Sequence, residues 1–250
     1  MEAIDIDAIR RHFKHLKCDY VDTIASTQNS VKLGGLLIAE EQTSGQGRRG
    51  NQWLTPHGQS ICLSYKILCG MPASQLAGFQ MAVAMATLVT IEQFEPAADV
   101  QLKWPNDLYT NGQKFAGILI HLTPKQAANT EINIGIGINW TLSESELAAV
   151  DRPISNIPLQ QKPTRTEFII ALIKHLNDHI QQFEQQGLDA LLPKWQKHDL
   201  LTGQSIELLG HQQAIHGQYV GISPQGELLL DTSEGVKPFN SGQVTLRLNH

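Results

Sequence analysis

Residues 43–50 form a loop that combines three glycines with two adjacent arginines, Arg48 and Arg49. Glycine lets a ligand approach the backbone closely, and arginine binds phosphate or carboxylate through two parallel hydrogen bonds. The glycines also match the G-x-G-x-x-G spacing of dinucleotide-binding loops, but that motif requires a helix directly after it, which the sequence of residues 51–58 does not allow. We interpret the loop as an anion site, with a solvated surface turn as the alternative.

A second polar group follows the predicted strand that ends near residue 103. Residues 103–107 read Lys-Trp-Pro-Asn-Asp, and Asn111-Gly112 is typical of a two-residue type I′ hairpin. Such a hairpin returns Lys114 to the neighbourhood of Asp107. One lysine at the mouth of an apolar strand suits an anionic ligand, although an aspartate in a turn often caps the backbone and a lysine often blunts an edge strand.

Residues 131–139 predict a strand with two different faces. Four isoleucines alternate with Asn133, Gly135, Gly137 and Asn139. Glycines in a row on one face of a sheet leave the backbone open to close approach by another group. That group is either a packed helix or a bound ligand.

Helical periodicity predicts the helices that must hold these residues in place. It predicts a short helix at residues 6–16 and a longer one that starts at Ser74. Thr164 and Glu167 form a capping box that predicts the start of another long helix, and Gly187 predicts its end.

Strands are predicted at residues 36–40 and 60–68 as well. Beyond residue 200 the pattern changes to short apolar runs separated by turns, which is typical of a small all-β module. We therefore predict two domains, an α/β domain at residues 1–200 and a β domain at residues 201–250.

Composition excludes several classes of protein. With 41% hydrophobic and 17% charged residues, the chain can bury a sizeable core and is not disordered or fibrous. A net charge of −5 disfavours non-specific nucleic-acid binding, which needs a basic surface. Three cysteines without a CxxC pair, together with the lack of a signal peptide or membrane span, predict a cytoplasmic protein with no membrane partner. The paired histidines lack the partners of a metal site, so no protein-bound metal is expected.

Together these segments resemble the biotin protein ligases, the biotin–[acetyl-CoA-carboxylase] ligase family. The resemblance covers nearly the whole chain and its middle blocks are highly specific. It rests on Ser-Thr-Gln at residues 26–28, the Gly-Gln-Gly-Arg-Arg-Gly loop at 45–50 with Trp53, and the blocks Lys-Trp-Pro-Asn-Asp at 103–107 and Lys-Phe-Ala-Gly-Ile-Leu at 114–119.

The resemblance implies a fold and a domain organisation. It implies an α/β catalytic domain of the class II synthetase-like, biotin–lipoate ligase type, with a mixed sheet and flanking helices, followed by an SH3-like β-barrel. Bifunctional members also carry a winged-helix domain, for which we see no room before Ser26. We therefore expect a monofunctional ligase, a monomer or homodimer, that binds no nucleic acid and has no repressor activity.

The resemblance further implies a two-step, ATP-dependent reaction. Biotin and ATP, with Mg²⁺ on the phosphates, give biotinyl-5′-AMP and pyrophosphate. A lysine of the biotin carboxyl carrier domain of acetyl-CoA carboxylase then takes the biotin. Arg48 and Lys114 would stabilise developing charge, and Asp107 would act as base or orienter for the carrier lysine. Gln46 and Gln28 stand where the family commonly has arginine and asparagine.

The binding residues follow from the same resemblance. Those assigned to biotin are Ser26, Thr27, Gln28, Gln42, Gly45, Gln46, Gly47, Arg48, Lys114 and Gly117. Those assigned to ATP are Arg48, Arg49, Trp53, Asn106, Asn139, Lys237 and Arg247. Two alternatives stay open. One is a lipoate ligase or octanoyl transferase, which share the core fold; the other is a catalytically silent biotin- or nucleotide-binding regulator. The loop and the C-terminal domain favour biotin, and the retention of Arg48, Asp107 and Lys114 favours an enzyme.

Overall fold

A computed structural model of the chain describes residues 3–125, 129–209, 214–242 and 245–248. Its helices are α1 (Ile6–His12), α2 (Thr27–Ser30), α3 (Phe79–Phe94), α4 (Glu144–Ala148), α5 (Arg165–Gln186) and α6 (Leu192–His198). The first seven strands are β1 (Lys17–Ile24), β2 (Gly35–Gln42), β3 (Ser60–Cys69), β4 (Gln101–Lys103), β5 (Asp107–Thr110), β6 (Gln113–Pro124) and β7 (Thr130–Asn139). The last five are β8 (Ser205–Leu209), β9 (Ala214–Ile222), β10 (Leu228–Thr232), β11 (Gly235–Phe239) and β12 (Thr245–Leu248).

The first seven strands form one mixed sheet in the spatial order β1-β2-β3-β7-β6-β5-β4. Only β1 and β2 run parallel, and the chain crosses between them through the single turn of α2. Every other neighbouring pair is antiparallel. The mixed α/β fold and the three predicted strands that became β2, β3 and β7 are thereby confirmed.

The two faces of this sheet are covered by different elements. The isoleucines of β7 are buried in the main core together with α3 and α5, and Tyr65 of β3 donates a hydrogen bond to Asn177 Oδ1 of α5 at 3.1 Å. The opposite face carries the short helix α2 and the glycines of β7. The sheet therefore has one helix-packed side and one side where backbone lies close to a cavity.

The predicted helices form, but the first ends at His12 rather than at residue 16, and another has a displaced start. The Thr164 hydroxyl accepts from Glu167 N, and the Glu167 carboxylate accepts from Thr164 N, so the capping box that starts α5 is confirmed, as is the end of that helix at Gly187. The helix predicted from Ser74 begins instead at Phe79, so that predicted start is wrong. Gly78, with φ of 80°, separates it from a preceding 3₁₀ turn at Ala73–Gln75, because a left-handed residue interrupts helical geometry. None of the described helices is long and apolar enough to cross a membrane.

The last five strands form a second, wholly antiparallel sheet in the order β11-β10-β9-β8-β12. Among the described residues no ladder joins β11 to β12, so the predicted closed barrel is not confirmed. Hydrogen bonds join the segments of the small sheet to the rest of the chain. Trp104 Nε1 donates to Gly226 O at 2.9 Å, and the Tyr219 hydroxyl donates to Asp199, where burial raises the pKa of the carboxyl group.

A buried ion pair ties β2 to the start of α5. Arg165 donates to both carboxylate oxygens of Glu40, at 2.6 and 3.0 Å, and the two side chains are only 6% and 4% exposed. The Tyr20 hydroxyl donates to the same carboxylate at 2.7 Å. Burial and this hydrogen bond raise the pKa of Tyr20 to about 12.

Arg165→Met is expected to destabilise the protein by about 3–5 kcal/mol, because it leaves the Glu40 carboxylate buried without its cation. Urea unfolding monitored by circular dichroism measures the change. Arg11→Met is the matched control, since its ion pair with Asp5 is 67% and 58% exposed and its removal should leave the midpoint almost unchanged. Equal midpoints for the two variants would contradict a structural role for the buried pair.

Candidate functional site

The turn between β4 and β5 directs three neighbouring side chains to three different partners. Trp104 reaches the C-terminal sheet, as described. Asn106 donates from Nδ2 to Ile118 O at 2.5 Å, which ties the turn to β6, and its Oδ1 accepts from Arg48 at 3.1 Å. Asp107, the first residue of β5, faces β6. The turn therefore links both sheets to the glycine-arginine loop.

Lys114 and Asp107 form a close ion pair. Asn111 and Gly112 both have positive φ, of 50° and 73°, so the predicted hairpin with its left-handed central pair is confirmed. Lys114 Nζ lies 2.6 Å from Asp107 Oδ1, and the side chains are 12% and 23% exposed. The hairpin thus brings the lysine back to the aspartate, as predicted, and Asp107 fixes the position of the ammonium group.

The glycine-arginine loop is held by its own backbone and by the C-terminal sheet. Trp53 N donates to Gly45 O at 2.9 Å, which closes the loop. Arg48 donates to Ser241 O at 2.9 Å, and Arg49 donates to the same carbonyl oxygen at 3.1 Å. Burial lowers the pKa of Arg48, and the nearby Asp107 opposes that shift. Two guanidinium groups therefore converge on one carbonyl group of the turn that follows β11.

The bare face of β7 is covered by side chains of the chain itself. A Cβ built on Gly137 would lie 2.4 Å from the Trp53 indole, and one on Gly135 would lie 2.6 Å from the Gln28 amide. Trp53 also lies over Gly117, the cross-strand partner of Gly137. The sequence left a packed helix or a ligand as the group that approaches these glycines. The structure places the short helix α2 there, through Gln28, together with the Trp53 indole from the loop.

Uncharged polar groups line the end of the site nearest α2. Gln42 Oε1 accepts from both N and Oγ1 of Thr27, at 2.8 and 3.0 Å. Gln28 accepts from Ser64 Oγ at 2.9 Å and donates to Asn133 O at 3.1 Å, so its amide is already bonded to protein. Ser26 Oγ is buried and has no hydrogen-bond partner among the described residues. This hydroxyl is therefore a polar group that a ligand would satisfy.

These elements enclose a cavity of about 570 Å³. It brings together most of the residues predicted for the site, namely Ser26, Thr27, Gln28, Gln42, Gln46, Gly47, Arg48, Arg49, Trp53, Asn106, Asp107, Lys114 and Gly117. Gly45 instead lines a second cavity on the outer side of the loop.

Besides Gly45, three predicted residues do not line the main cavity. Asn139 is buried and donates to Ser155 O at 2.9 Å, so it holds the segment that follows α4. Lys237 is paired with Glu234 on the surface of β11. Arg247 lies in β12, but its side chain lies outside what the structure describes.

Sequence reasoning missed several cavity residues. Cys62 and Ser64 lie on the second face of β3, opposite its apolar positions, and strand alternation alone could have found them. Burial raises the pKa of Cys62 to about 12, so its thiol stays protonated. Tyr109 and Arg152 belong to no motif that the sequence shows. Lys103 was identified only as part of the Lys-Trp-Pro-Asn-Asp block.

The charge of the cavity is opposite to that of the chain. Five cationic side chains line it, against the one carboxylate of Asp107; the cations are Arg48, Arg49, Lys103, Lys114 and Arg152. This excess of four positive charges is found in a chain whose net charge is −5. Cations held together at low dielectric repel one another, and a bound polyanion relieves that repulsion. The geometry therefore fits an elongated ligand with a neutral polar end and a second, strongly anionic partner.

Comparison with known proteins identifies relatives across the chain. Residues 21–139 match the Biotin/lipoate A/B protein ligase family, and residues 202–247 match the Biotin protein ligase C terminal domain. The chain is 33% identical over 220 residues to the Bifunctional ligase/repressor BirA of Escherichia coli, an alignment that spans 87% of this chain and 68% of that protein. It is 28% identical over 229 residues to the Biotin--[acetyl-CoA-carboxylase] ligase of Mycobacterium tuberculosis, spanning 89% and 83%.

A solved structure matches the whole arrangement. The biotin protein ligase of Aquifex aeolicus in complex with biotin and ATP superposes with a TM-score of 0.78 at 25% identity, over 93% of this chain and 99% of that one. The likeness includes both sheets, because it extends over almost the full length of each protein.

Gly137→Ala is expected to displace the loop while preserving the fold. The new methyl group would overlap the Trp53 indole, and the loop must move because the β7 backbone is fixed on both sides by β3 and β6. Hydrogen exchange of peptides spanning residues 43–54 should then be faster than in the wild type. Gly70→Ala is the matched control, since a Cβ there meets no atom within 4 Å. Unchanged exchange in Gly137→Ala would show that Trp53 does not depend on the bare strand.

Proposed function

We infer the roles of the cavity residues from one premise: this chain belongs to the biotin protein ligase family. It is an ATP-dependent ligase for biotin. The observation that carries the assignment of its site is the charge pattern of the main cavity, with uncharged polar groups at one end and cations at the other. Biotin has a neutral ureido ring and an anionic carboxylate, and ATP brings a triphosphate, so the two substrates match the two ends.

Biotin enters with its ureido ring toward α2. Ser26 Oγ, which lacks a partner in the described chain, meets the ureido group there, beside Thr27 and Gln42. Gln28 contributes a wall rather than a free hydrogen-bonding group, because its amide is bonded to Ser64 and Asn133. The apolar valeryl chain then runs along the backbone of β6 and β7 after the Trp53 indole has moved off Gly117 and Gly137. Its carboxylate arrives among the cations, beside the loop backbone at Gln46 and Gly47.

The first step joins two anions. A carboxylate oxygen of biotin attacks the α-phosphorus of ATP, and the bond from that phosphorus to the bridging oxygen breaks, which gives biotinyl-5′-AMP and pyrophosphate. Arg48 and Lys114 stabilise the charge that develops at the α-phosphate, since preorganised cations act most strongly in a partly buried site. Asp107 holds the Lys114 ammonium in place for this step.

The residues present also fit Mg²⁺ carried by the nucleotide. Mg²⁺ commonly keeps several waters and binds through one or two carboxylates together with substrate phosphates. Among the described cavity residues, Asp107 is the carboxylate that would hold the ion, through Oδ2, since Oδ1 is paired with Lys114. When bound, the ion would neutralise part of the triphosphate charge.

The second step transfers biotin to a lysine of a biotin carboxyl carrier domain, as in acetyl-CoA carboxylase. The lysine amine attacks the carbonyl carbon of the adenylate, and AMP leaves with the electrons of the broken C–O bond. A free lysine has a pKa of ~10.4 and arrives protonated, so it must lose a proton before it attacks. Asp107 lies beside the cationic end of the cavity and serves as the group that orients or deprotonates it.

The nucleotide is placed by residues on both sides of the loop. Arg49 and Asn106 line the cationic end of the cavity, and Trp53 flanks the adenine once the loop rearranges. Asn139 acts on the nucleotide only indirectly, because it holds the segment at Ser155 that follows α4. Lys237 lies outside the cavity, and we therefore assign it, together with Arg247, to docking of the carrier domain.

We also propose the domain boundary, the oligomeric state and the cellular location of the protein. We divide the chain at residue 200, regard the C-terminal sheet as the SH3-like domain of the family, and expect a monomer or homodimer that works in the cytoplasm. Lipoate ligase activity is the less favoured alternative, because the matched C-terminal domain and the named relatives are those of biotin ligases.

The direct test incubates the protein with biotin, ATP, Mg²⁺ and an apo carrier domain, and weighs the carrier by mass spectrometry. We expect the mass of one biotinyl group to be added, and none when ATP is omitted or when lipoate replaces biotin. A carrier modified by lipoate but not by biotin would reject the assignment.

Lys114→Met is expected to lower biotin-dependent ATP–pyrophosphate exchange by about 10²–10³-fold, the usual cost of one preorganised contact at a transition state. The fold should survive, because the side chain lies at the cavity rather than in the core. Lys197→Met, on the exposed side of α6, is the control and should retain wild-type exchange. Exchange within a few-fold of wild type in Lys114→Met would remove this lysine from the reaction.

A further inference from the structure

The turn between β9 and β10, residues 223–227, packs against the start of α3 with no side chain between them. Gly226 in this turn and Gly78 before α3 both have positive φ, of 75° and 80°. A Cβ built on Gly226 would lie 2.7 Å from Gly78 Cα and 3.0 Å from Gly78 N. These are backbone atoms, which cannot rotate away as the end of a side chain can. The C-terminal sheet therefore meets α3 here at a distance that only glycine allows.

The same β9–β10 turn accepts the hydrogen bond of the Trp104 indole. Trp104 is buried, and its Nε1 donates to Gly226 O at 2.9 Å. The turn is closed by two hydrogen bonds of its own, from Ser223 N to Glu227 O at 2.9 Å and from Gly226 N to Ser223 O at 2.8 Å. The acceptor oxygen is thus carried by a closed turn that rests on main chain. It therefore fixes where the indole lies.

Trp104 also begins the β4–β5 turn, which leads to the ion pair of the cavity. Ile118 N donates to Asn106 O at 3.0 Å, so the other end of this turn is tied to β6. Asp107 follows directly and holds the Lys114 ammonium at 2.6 Å. The turn has only two residues between Trp104 and Asp107, so it has little slack. A shift of the indole is therefore passed on to the carboxylate and to the ammonium group that it holds.

We propose that Gly226 is a positioning residue for the reaction, which acts through the Trp104 indole on the placement of Asp107 and Lys114. This rests on the proposed function. Gly226 does not line the main cavity, so its effect must pass through another residue. At this contact the C-terminal sheet supplies geometry to the chemical step rather than a group that touches substrate. Stabilisation of a transition state depends steeply on such geometry, because a small misplacement of a reacting group is costly.

Gly226→Ala and Trp104→Phe test the contact from its two sides. The first forces the β9–β10 turn away from Gly78, and the second keeps a ring but removes the donor. Biotin-dependent ATP–pyrophosphate exchange is measured with biotin varied, at a temperature where circular dichroism shows every variant folded. We expect kcat to fall about 10–100-fold in Gly226→Ala, as for a misplacement of about 1 Å. In Trp104→Phe it should fall about 3–10-fold, as for loss of one hydrogen bond. The KM for biotin should not change, because the ureido ring binds at the other end of the cavity.

Two matched controls separate positioning from general stability. Gly203 has a φ of 76°, and a Cβ there meets no atom within 4 Å, so Gly203→Ala carries the backbone strain of Gly226→Ala without its collision. Trp140→Phe trims another buried tryptophan, which packs on Phe168 with ring centroids 5.2 Å apart and does not line the main cavity. Both controls should lower the melting temperature and keep the wild-type kcat.

The double variant of Gly226 and Trp104 shows whether the two residues act through one contact. Both substitutions break the same hydrogen bond, so the kcat of the double variant should equal that of Gly226→Ala alone. Losses that multiply would overturn the proposal, as would single variants whose kcat equals that of their controls. A higher KM for biotin at unchanged kcat would overturn it as well. Failure of the proposed function is distinct from these results, since the wild-type protein would then show no biotin-dependent exchange at all.

Discussion

A side chain at Gly137 would overlap the Trp53 indole, and one at Gly135 would overlap the Gln28 amide, so the site exists only because this stretch of β7 is bare backbone. The absence of side chains lets the loop and α2 reach the sheet from opposite directions. It also leaves main chain beneath the Trp53 indole, so an apolar ligand chain can take the place of the indole when the loop moves. The opposite face of β7 carries isoleucines, which hold the strand rigidly in the core. Alternate residues of β7 therefore have two roles. The isoleucines hold the strand in the core, and the glycines leave its other face free of side chains.

Positive charge is concentrated beside this stretch of β7, and groups of the protein itself pair with part of it. Lys114 is neutralised by Asp107, and Arg48 and Arg49 are directed to a carbonyl oxygen. Lys103 Nζ lies 5.3 Å from the centroid of the Tyr109 ring, and Asp107 is its cross-strand neighbour. A carbonyl oxygen and an aromatic ring are weaker partners for a cation than phosphate is. A polyanion that binds these cations therefore displaces partners that are weaker than phosphate.

Local patterns predicted the parts of the site that one segment encodes. The Asn111-Gly112 turn returned Lys114 to Asp107, and the alternation in residues 131–139 marked the bare face. What local pattern could not supply was the partner of each part. Trp53 covers Gly137 from a segment more than eighty residues earlier, and Arg152 enters the cavity only because its segment pairs with Lys114. The same limit explains Asn139, which was assigned to the nucleotide but is bonded to Ser155. Its polarity was visible in the sequence, whereas its partner was not.

The C-terminal sheet meets the catalytic motifs through main-chain oxygens, Gly226 O for Trp104 and Ser241 O for the two arginines. Every amino acid offers the same carbonyl group, so these contacts specify where the chain passes and not which residue passes there. Apart from Gly226, the side chains of these turns are free to drift during evolution while the contacts persist. Turn length is not, since one inserted or deleted residue shifts the carbonyl away from its donor. Relatives can therefore diverge widely in this domain and still share its attachment, provided that their turns keep the same number of residues.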